Sequence, residues 1–320
     1  MGYNRRIKIR REVQCLMDAL IQSLVQANFA PERIAPQASM AQYTTLRIGG
    51  PAEVMVNIHS ADEIAVALRA AKQADAPVTI IGNGSNLLVR DGGIRGLVLR
   101  ISGGLNAIRR EGDCLLVQAG ASLAAVAAFA RDEGLSGMAE LGGIPGTVGG
   151  GVLMNAGAYG AELAQLVTQA EGVFLSDGRR VVYPADRLDF AYRHSALMDA
   201  GVVITQATLA LTPDDPEAIR ARMEECAKAR REKQPLTLPS AGSTFKRPEG
   251  HFAAKLIDDC GLRGLTVGGA QVSEKHAGFI VNIGGATARD MLELMRQVEQ
   301  RVFEQTGVQL EPEVRILGED

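Results

Sequence analysis

The stretch from Gly142 to Gly160 constrains the fold of this chain more than any other part of its sequence. It reads GGIPGTVGGGVLMNAGAYG and contains eight glycines, one proline and no charged residue. Glycine allows unusual backbone conformations and close approaches, yet it costs about 0.5–1 kcal/mol wherever it stands in regular structure. A flexible linker in solvent would be more polar. A tight turn between packed strands would explain any single glycine, but the whole cluster favours backbone wrapped against a flat or phosphorylated ligand.

The composition of the chain excludes several classes of protein. Its 320 residues exceed the size at which one hydrophobic core usually stops growing, so we expect two or three domains. A net charge of −3 argues against a dedicated nucleic-acid binder. The cysteines form no CxxC pair and the histidines show no metal-ligand spacing, so we predict neither a disulfide nor a metal site.

The sequence shows neither a membrane span nor a targeting segment. No apolar run approaches the roughly 20 residues that a span requires. The basic residues near the amino terminus are not followed by the continuous apolar core of a signal peptide. We therefore expect a cytoplasmic protein that acts on a small molecule, binds no nucleic acid and no membrane, and is a monomer or a weak oligomer.

Apolar periodicity and turn residues predict an α+β architecture. We expect an N-terminal helical extension over residues 1–35, then strand pairs with a few helices over residues 36–212. A smaller α/β domain is expected over residues 213–308, followed by a tail over residues 309–320. Thr212 is predicted to cap the first helix of the smaller domain, with Pro213 at its first position.

The junction after the predicted strand Val78–Ile81 can be tested against known phosphate-binding loops. The strand runs into the segment GNGSN, which begins at Gly82. The dinucleotide fingerprint needs a third glycine where Leu87 stands, followed by a helix, and the residues after Leu87 predict extended backbone. No GxxxxGK[ST] motif occurs in the chain. The sequence therefore supports neither a Rossmann site nor a P-loop.

Three polar residues outside the glycine stretch have unusual surroundings. Arg193 lies in FAYRHS, Ser243 in AGSTFK, and Glu313 in LEPEVR near the end of the chain. Each residue taken alone is better explained by a structural role, as a core-spanning arginine, a capping serine and a solvated glutamate. No GxSxG elbow surrounds Ser243, so the sequence does not indicate a serine nucleophile.

Seven segments resemble, in the same order, the UDP-N-acetylenolpyruvoylglucosamine reductase family, whose members are flavoenzymes of peptidoglycan synthesis. They run from about Tyr43 to Gly318 and read YTTLRIGG, IGNGSNLLVRDGGIRG, GIPGTVGGGVLMNAGAYG, YRHS, AGSTFKRP, VSEKHAGFIVN and LEPEVRILG. Thr44 stands where the family usually has asparagine. The short interval between Arg193 and Ser243 resembles the subclass of this family that lacks an extra tyrosine-bearing loop over the substrate.

The resemblance implies an FAD-binding fold of the vanillyl-alcohol-oxidase (PCMH) type, made of two α+β subdomains over residues 36–212, and a smaller C-terminal α/β domain for the substrate. Backbone N–H groups of the glycine-rich segments would hold the diphosphate and the flavin. A side chain at Gly157 would collide with the flavin edge. The residues implied to bind FAD are Tyr43, Arg47, Gly82, Asn83, Gly84, Ser85, Asn86, Leu87, Gly143, Ile144, Pro145, Gly146, Gly149, Asn155, Ala156 and Gly157.

The resemblance also implies the reaction. NADPH reduces FAD and leaves, the enolpyruvyl substrate takes its place, and hydride passes to C3 of the enolpyruvyl group while Ser243 protonates C2. Arg193 would bind the substrate carboxylate, since a guanidinium offers paired planar donors. Glu313, in the tail, would polarise that carboxylate or act as an acid. The residues implied to contact the rest of the UDP-sugar are Lys233, Lys246, Lys275, Asn282 and Arg315.

Two other functions stay open from the sequence alone. A different flavin oxidoreductase of the same fold would keep the glycine-rich segments, but it would have no reason to carry YRHS, AGSTF and EVR in this order. A non-catalytic paralogue that binds flavin or a nucleotide sugar would be expected to lack Arg193, Ser243 or Glu313. All three are present, which favours the reductase.

Overall fold

The computed structural model describes residues 16–320, and contacts within the chain divide it into two units. Of the described residues, the first unit contains 16–38, 52–82 and 95–223. The second unit contains residues 39–51, 83–94 and 224–320. Part of the predicted helical extension lies outside the described residues, and the domain limits predicted from the sequence stay predictions.

The helices and strands of the described residues are numbered in chain order. Helices α1 to α7 are 16–26, Ala61–Gln73, Leu123–Asp132, Val148–Leu153, Pro216–Lys233, Ala253–Asp259 and Ala288–Thr306. Strands β1 to β9 are Ile34–Ser39, Pro51–Asn57, Val78–Ile81, Leu87–Val89, Ile94–Arg100, Ile108–Glu111, Cys114–Gln118, Leu135–Ser136 and Gly157–Ala158. Strands β10 to β18 are Ala161–Glu162, Val167–Phe174, Arg180–Pro184, Val202–Ala210, Thr212–Pro213, Thr266–Val267, Ala270–Val272, Ile280–Asn282 and Arg315–Leu317.

Two sheets form the framework of the first unit. One has the order β1-β2-β5-β3, with β3 parallel to β5, and the other is antiparallel with the order β12-β11-β13-β7-β6. Asp177 and Gly178 lie in the hairpin that connects β11 and β12, and Gly178 has a φ of +75°. Leu20 and Leu24 of α1 are buried in the core of this unit, so the leading helix belongs to it.

The core of the second unit is built on α7. Its apolar side chains Met291, Leu294, Met295, Val298 and Val302 are all buried. This confirms the face that their helical spacing predicts. The same unit contains an antiparallel sheet with the order β15-β16-β17 and a parallel pair formed by β4 and β18.

One predicted helix start is wrong. Thr212 and Pro213 do not begin α5 but form strand β14, which pairs with β8. The helix begins further along, at Pro216, where Asp215 Oδ1 accepts a hydrogen bond of 3.2 Å from the N–H of Glu217. Both prolines suit the first helical position. Pairing with β8, which is distant in sequence, decides between them.

Asp91 caps α7 from a position far away in the sequence. Its carboxylate accepts hydrogen bonds from the N–H groups of Ala288 at 2.9 Å and Arg289 at 3.1 Å. The first N–H groups of a helix have no partner within the helix. We therefore expect Asp91→Ala to lower the free energy of unfolding by about 0.5–2 kcal/mol, measured by urea unfolding. Glu249→Ala, which removes an exposed carboxylate from the same unit, is the control. Equal unfolding midpoints for the two variants would contradict the cap.

Candidate functional site

The glycine stretch contains a short helix, α4, and this helix needs its glycines for packing within the first unit. Thr147 precedes the helix, and its Oγ1 accepts a hydrogen bond of 3.3 Å from the N–H of Gly150. A Cβ at Gly149 would lie 2.9 Å from Ala119 Cβ, and one at Gly151 would lie 2.8 Å from a Leu163 methyl carbon. Real side chains do not approach so closely, so the protein's own packing requires both glycines. A bound ligand is therefore not required to explain Gly149 and Gly151.

Gly157 is also confined by the protein itself. It belongs to β9 and pairs with Glu162 of β10. A Cβ at Gly157 would lie 2.8 Å from the carbonyl oxygen of Ala161. The close approach that the family resemblance attributes to the flavin edge is therefore already imposed by the β9–β10 pair. Gly82, the first residue of the GNGSN loop, is confined in a similar way by the Thr147 side chain.

Asn155 ties the glycine stretch to the segment that carries Arg193. Its side chain is 1% exposed, and its backbone is left-handed with a φ of +42°. Nδ2 donates to the carbonyl oxygen of Ala191 at 3.1 Å, and Oδ1 accepts from the N–H of Ala164 at 2.9 Å. Both ends of the amide are thus engaged inside the first unit. A contact of this residue with a cofactor would use its backbone.

Arg193 lies at the tip of a tight turn. The N–H and carbonyl groups of Ala191 and His194 bond each other reciprocally, both at 3.1 Å. Tyr192 and Arg193 are the two central residues, and Arg193 is left-handed with a φ of +55°. Its guanidinium carbon lies 5.0 Å from the centroid of the Tyr192 ring, within the range of a cation–π contact. The turn thus presents a large cationic side chain that packs against an aromatic ring.

Ser243 and Glu313 lie on neighbouring segments of the second unit. The N–H of Glu313 donates to the carbonyl oxygen of Thr244 at 2.8 Å, and the N–H of Lys246 donates to that of Glu311 at 2.8 Å. These bonds align the two segments in antiparallel fashion. Ser243 is exposed and Glu313 is half-buried. The structure therefore brings together two of the three predicted catalytic residues, which are far apart in the sequence.

Asn86 supports the segment that carries Glu313. Its Nδ2 donates to the carbonyl oxygen of Glu313 at 3.1 Å, and its own carbonyl oxygen accepts from the N–H of Arg315 at 3.0 Å. Arg315 begins β18 and pairs with Leu87 of β4. The GNGSN loop is also hydrogen-bonded to residues 43–47, the segment that contains Tyr43 and Arg47. The N–H of Thr45 donates to the carbonyl oxygen of Gly84 at 3.3 Å. Residues from three separate stretches of sequence thus meet in the second unit.

The predicted substrate-binding residues of the second unit differ in their surroundings. Lys246 Nζ lies 3.2 Å from Glu311 Oε2, and Lys275 Nζ donates to the carbonyl oxygen of Arg231 at 2.5 Å. Asn282 is buried, and its Nδ2 donates to the carbonyl oxygen of Leu46 at 3.1 Å. Lys233 is the last residue of α5 and is exposed. Lys233 and Lys275 are exposed, whereas Lys246 is half-buried and its ammonium group is paired with Glu311.

Two buried residues with hydroxyl groups lie beside the site but are not among the residues that the sequence predicts for it. Thr244, next to Ser243, is 2% exposed, and its Oγ1 accepts a hydrogen bond of 3.0 Å from the N–H of Ile280. Ser195, two positions after Arg193, is fully buried and donates through Oγ to the carbonyl oxygen of Leu153 at 2.8 Å. Their position inside the short motifs AGSTF and YRHS is the one sequence feature that could have indicated them.

His276 is expected to make the stability of the second unit depend on pH. Burial lowers the pKa of His276 below its ordinary value, and the Arg263 guanidinium lowers it further. The N–H of Gly278 donates to His276 Nδ1 at 3.2 Å, which requires that this nitrogen carry no proton. Since an unfolded histidine has a pKa of about 6.5, the unfolded chain binds more protons than the folded chain just below that pH. The stability that neutral His276 contributes is lost as the pH falls through this window.

We therefore expect the urea midpoint of the wild-type protein to fall between about pH 7.5 and about pH 5.5 by more than that of His276→Gln. Glutamine keeps a neutral polar side chain at the position but does not titrate. The measurement is urea unfolding followed by circular dichroism at both pH values. Equal changes in the two proteins would show that His276 does not carry the effect.

Among residues 16–320, no cluster of three His, Cys, Asp or Glu side chains could hold a metal ion. Within the same range, no helix has both the length and the apolar character needed to cross a membrane.

Comparison with known proteins identifies the class of protein and then the family. Residues 52–183 match the FAD binding domain, so the chain is a flavoprotein in class. Residues 234–317 match the family described as UDP-N-acetylenolpyruvoylglucosamine reductase, C-terminal domain. The chain belongs to the UDP-N-acetylenolpyruvoylglucosamine reductase family. The predicted fold class, an FAD-binding domain followed by a smaller C-terminal domain, is confirmed.

Relatives with the same name match nearly the whole chain. The UDP-N-acetylenolpyruvoylglucosamine reductase of Pediococcus pentosaceus is 46% identical over 299 residues, which cover 93% of this chain and 99% of that protein. The protein of the same name from Agathobacter rectalis is 49% identical over 292 residues, with 88% and 92% coverage. The crystal structure of UDP-N-acetylenolpyruvylglucosamine reductase from Thermus caldophilus is 39% identical, covers 87% of this chain and 97% of that chain, and gives a TM-score of 0.75.

Proposed function

We propose that this chain reduces UDP-N-acetylglucosamine enolpyruvate to UDP-N-acetylmuramate, with FAD as its bound cofactor and NADPH as its reductant, in peptidoglycan synthesis. The observation that carries the proposal is the backbone bond from Glu313 to Thr244, which aligns Glu313 with the segment of Ser243. An acid and a second polar group on adjacent segments suit the protonation of a carbon atom. We further propose a cytoplasmic location and a monomer or weak oligomer.

The segments implied to hold FAD have a donor set that fits a diphosphate and a flavin. GNGSN, from Gly82 to Asn86, and GIPG, from Gly143 to Gly146, contain no acidic side chain that would repel a diphosphate. Their glycines leave backbone N–H groups without neighbouring side chains, and such groups form anion-binding concavities. The serine of GNGSN adds a hydroxyl donor. Tyr43, Arg47 and the backbone of residues 155–157 would complete the set.

FAD, held by these segments, would supply the hydride chemistry that connects NADPH with C3 of the enolpyruvyl group. Addition of a hydride to C3 builds negative charge on C2 and on the attached carboxylate. Arg193 would bind that carboxylate through paired N–H donors, which is the geometry a guanidinium offers. Its charge stabilises the transition state more than the ground state because negative charge on the substrate grows during the step.

Ser243 would donate its hydroxyl proton to C2, which completes the reduction of the carbon–carbon double bond. A hydroxyl is a weak acid, so the alkoxide that it becomes needs nearby donors. Glu313 would polarise the carboxylate or return a proton to the serine. General acid catalysis of this kind contributes about 10²–10⁴-fold to the rate. Lys233, Lys246 and Arg315, with Lys275 and Asn282, are proposed to contact the UDP-sugar.

Anaerobic stopped-flow spectroscopy of the two half-reactions tests this function. The purified protein should be yellow, its flavin absorbance should bleach when NADPH is added, and the absorbance should return when UDP-N-acetylglucosamine enolpyruvate is then mixed in. Another enol ether without the UDP-sugar serves as the control for specificity. A protein that cannot take up FAD, or a reduced flavin that ignores the substrate, would reject the proposal.

A further inference from the structure

Two buried polar side chains hold the turn that carries Arg193, and the reaction as described requires neither of them. Ser195, which is fully buried, donates through Oγ to the carbonyl oxygen of Leu153 at 2.8 Å. Asn155, which is 1% exposed, donates through Nδ2 to the carbonyl oxygen of Ala191 at 3.1 Å. The first bond fixes the residue after the turn, and the second fixes the residue where the turn begins. The turn is therefore anchored on both sides to the glycine stretch.

Such anchoring matters because the conformation of the turn is strained. The reciprocal bonds between Ala191 and His194 close a turn with two central residues, and the second of them, Arg193, is left-handed. That position is usually occupied by glycine or asparagine. For an arginine, the left-handed conformation costs about 1–2 kcal/mol. Hydrogen bonds from outside the turn therefore help to offset this cost.

Buried side chains and a backbone bond restrict the two ends of the segment that carries the turn. Leu188 before the turn and Leu197 after it are both buried in the core of the first unit. The N–H of Ala196 also donates to the carbonyl oxygen of Leu188 at 2.8 Å, which closes the loop at its base. Between these points, Asn155 and Ser195 provide side-chain bonds to the glycine stretch.

We propose that Ser195 and Asn155 are positioning residues, which hold the left-handed turn so that Arg193 meets the substrate carboxylate. This inference rests on the proposed role of Arg193 as the carboxylate clamp. It assigns to the Asn155 side chain a part in substrate binding, whereas the family resemblance implies cofactor binding. Ser195 lies in none of the segments implied to bind FAD. Its variants therefore test positioning without disturbing a cofactor segment directly.

The test compares Ser195→Ala and Asn155→Ala with wild type in the FAD-loaded enzyme. A small misplacement of a binding group can cost up to about 10²-fold. We expect reoxidation of the reduced flavin by the UDP-sugar substrate to slow by about 10–100-fold, and binding of UDP-N-acetylmuramate, measured by calorimetry, to weaken by a similar factor. In Ser195→Ala, flavin reduction by NADPH should stay within about threefold of wild type, since it involves no substrate carboxylate.

A matched control and a double variant separate positioning from general loss of stability. Thr205 is a buried residue of the same unit whose Oγ1 donates to the carbonyl oxygen of Glu171 at 3.3 Å. Thr205→Val loses a comparable bond and should leave the ratio of the two half-reactions unchanged. Ser195→Ala combined with Arg193→Ala should be no slower in reoxidation than Arg193→Ala alone, because the turn then has no clamp to position.

The outcomes are distinguishable. Normal reoxidation and normal product binding in Ser195→Ala would overturn the inference, and so would equal loss of both half-reactions or multiplicative effects in the double variant. If Asn155→Ala fails to retain FAD, its side chain has no separate positioning role and Ser195→Ala decides alone. If Arg193→Ala itself reoxidises normally, the proposed clamp fails and the inference fails with it. If only the anchoring variants behave as wild type, the clamp stands and the inference alone is overturned.

Discussion

Ser243→Ala is expected to slow reoxidation of the reduced flavin by UDP-N-acetylglucosamine enolpyruvate by about 10²–10⁴-fold, which is the usual contribution of a general acid. Alanine cannot donate a proton to C2, and Ser243 is exposed, so its hydroxyl is accessible to a substrate. Reduction of the flavin by NADPH involves no proton from this residue and should stay close to the wild-type rate. Anaerobic stopped-flow spectroscopy measures the two steps separately.

A nearby serine provides the control for this variant. Ser240 lies on the same segment, and its backbone pairs with Val281. Ser240→Ala removes an equivalent hydroxyl three positions away and should leave both steps unchanged. Equal losses in the reduction and reoxidation of Ser243→Ala would mean that the variant disturbs the flavin rather than proton donation. Normal reoxidation would remove Ser243 from the mechanism.

Arg193→Ala is expected to slow the same reoxidation step by about 10²–10³-fold, the range found when one preorganised donor to a developing charge is removed. The loss should be visible as weaker substrate binding and as a slower step at saturation, since the charge on the carboxylate increases in the transition state. Arg193→Lys keeps the charge but lacks the paired planar donors. We expect it to recover only part of the rate.

Arg187→Ala is the control for the loss of a positive charge from this part of the chain. Arg187 is exposed and belongs to the same unit. Its removal should change neither half-reaction, beyond a small dependence on salt. If Arg193→Lys reoxidises as fast as wild type, a point charge is sufficient and the paired-donor geometry is wrong. If Arg193→Ala is also normal, the carboxylate is bound elsewhere.

The helices of this protein could be predicted where their signals are local. The apolar face of α7 and the stop at Gly307, which follows the helix and is left-handed with a φ of +72°, depend on residues that are close in the sequence. The helix start at Thr212 was wrong because a second proline offered an equivalent start, and the choice depended on pairing with β8. Short strands such as β8 and β14 have no sequence signal of their own.

The glycine stretch is a second case in which contacts between residues distant in sequence could not be predicted. Its composition led to a ligand as the explanation, and the chain does belong to a family with an FAD binding domain. Yet Gly149 and Gly151 are required by Ala119 and Leu163, which the sequence does not mark as neighbours. The partner of Asn155 at Ala191 was equally hidden. A pattern of small residues predicts close approach, but it cannot say what approaches.

The sequence by itself determined the family, the cofactor that the family uses and the three residues proposed for catalysis, because these depend on residue types in a fixed order. Only the tertiary structure decided how the residues are held. Asn86 bonds the carbonyl oxygen of Glu313 across 227 positions, and the left-handed turn of Arg193 depends on side chains of the glycine stretch. Hydrogen bonds between distant segments form only after the chain has folded, so no local pattern specifies them. The glycine stretch that constrains the fold is thereby also the support of a proposed substrate clamp.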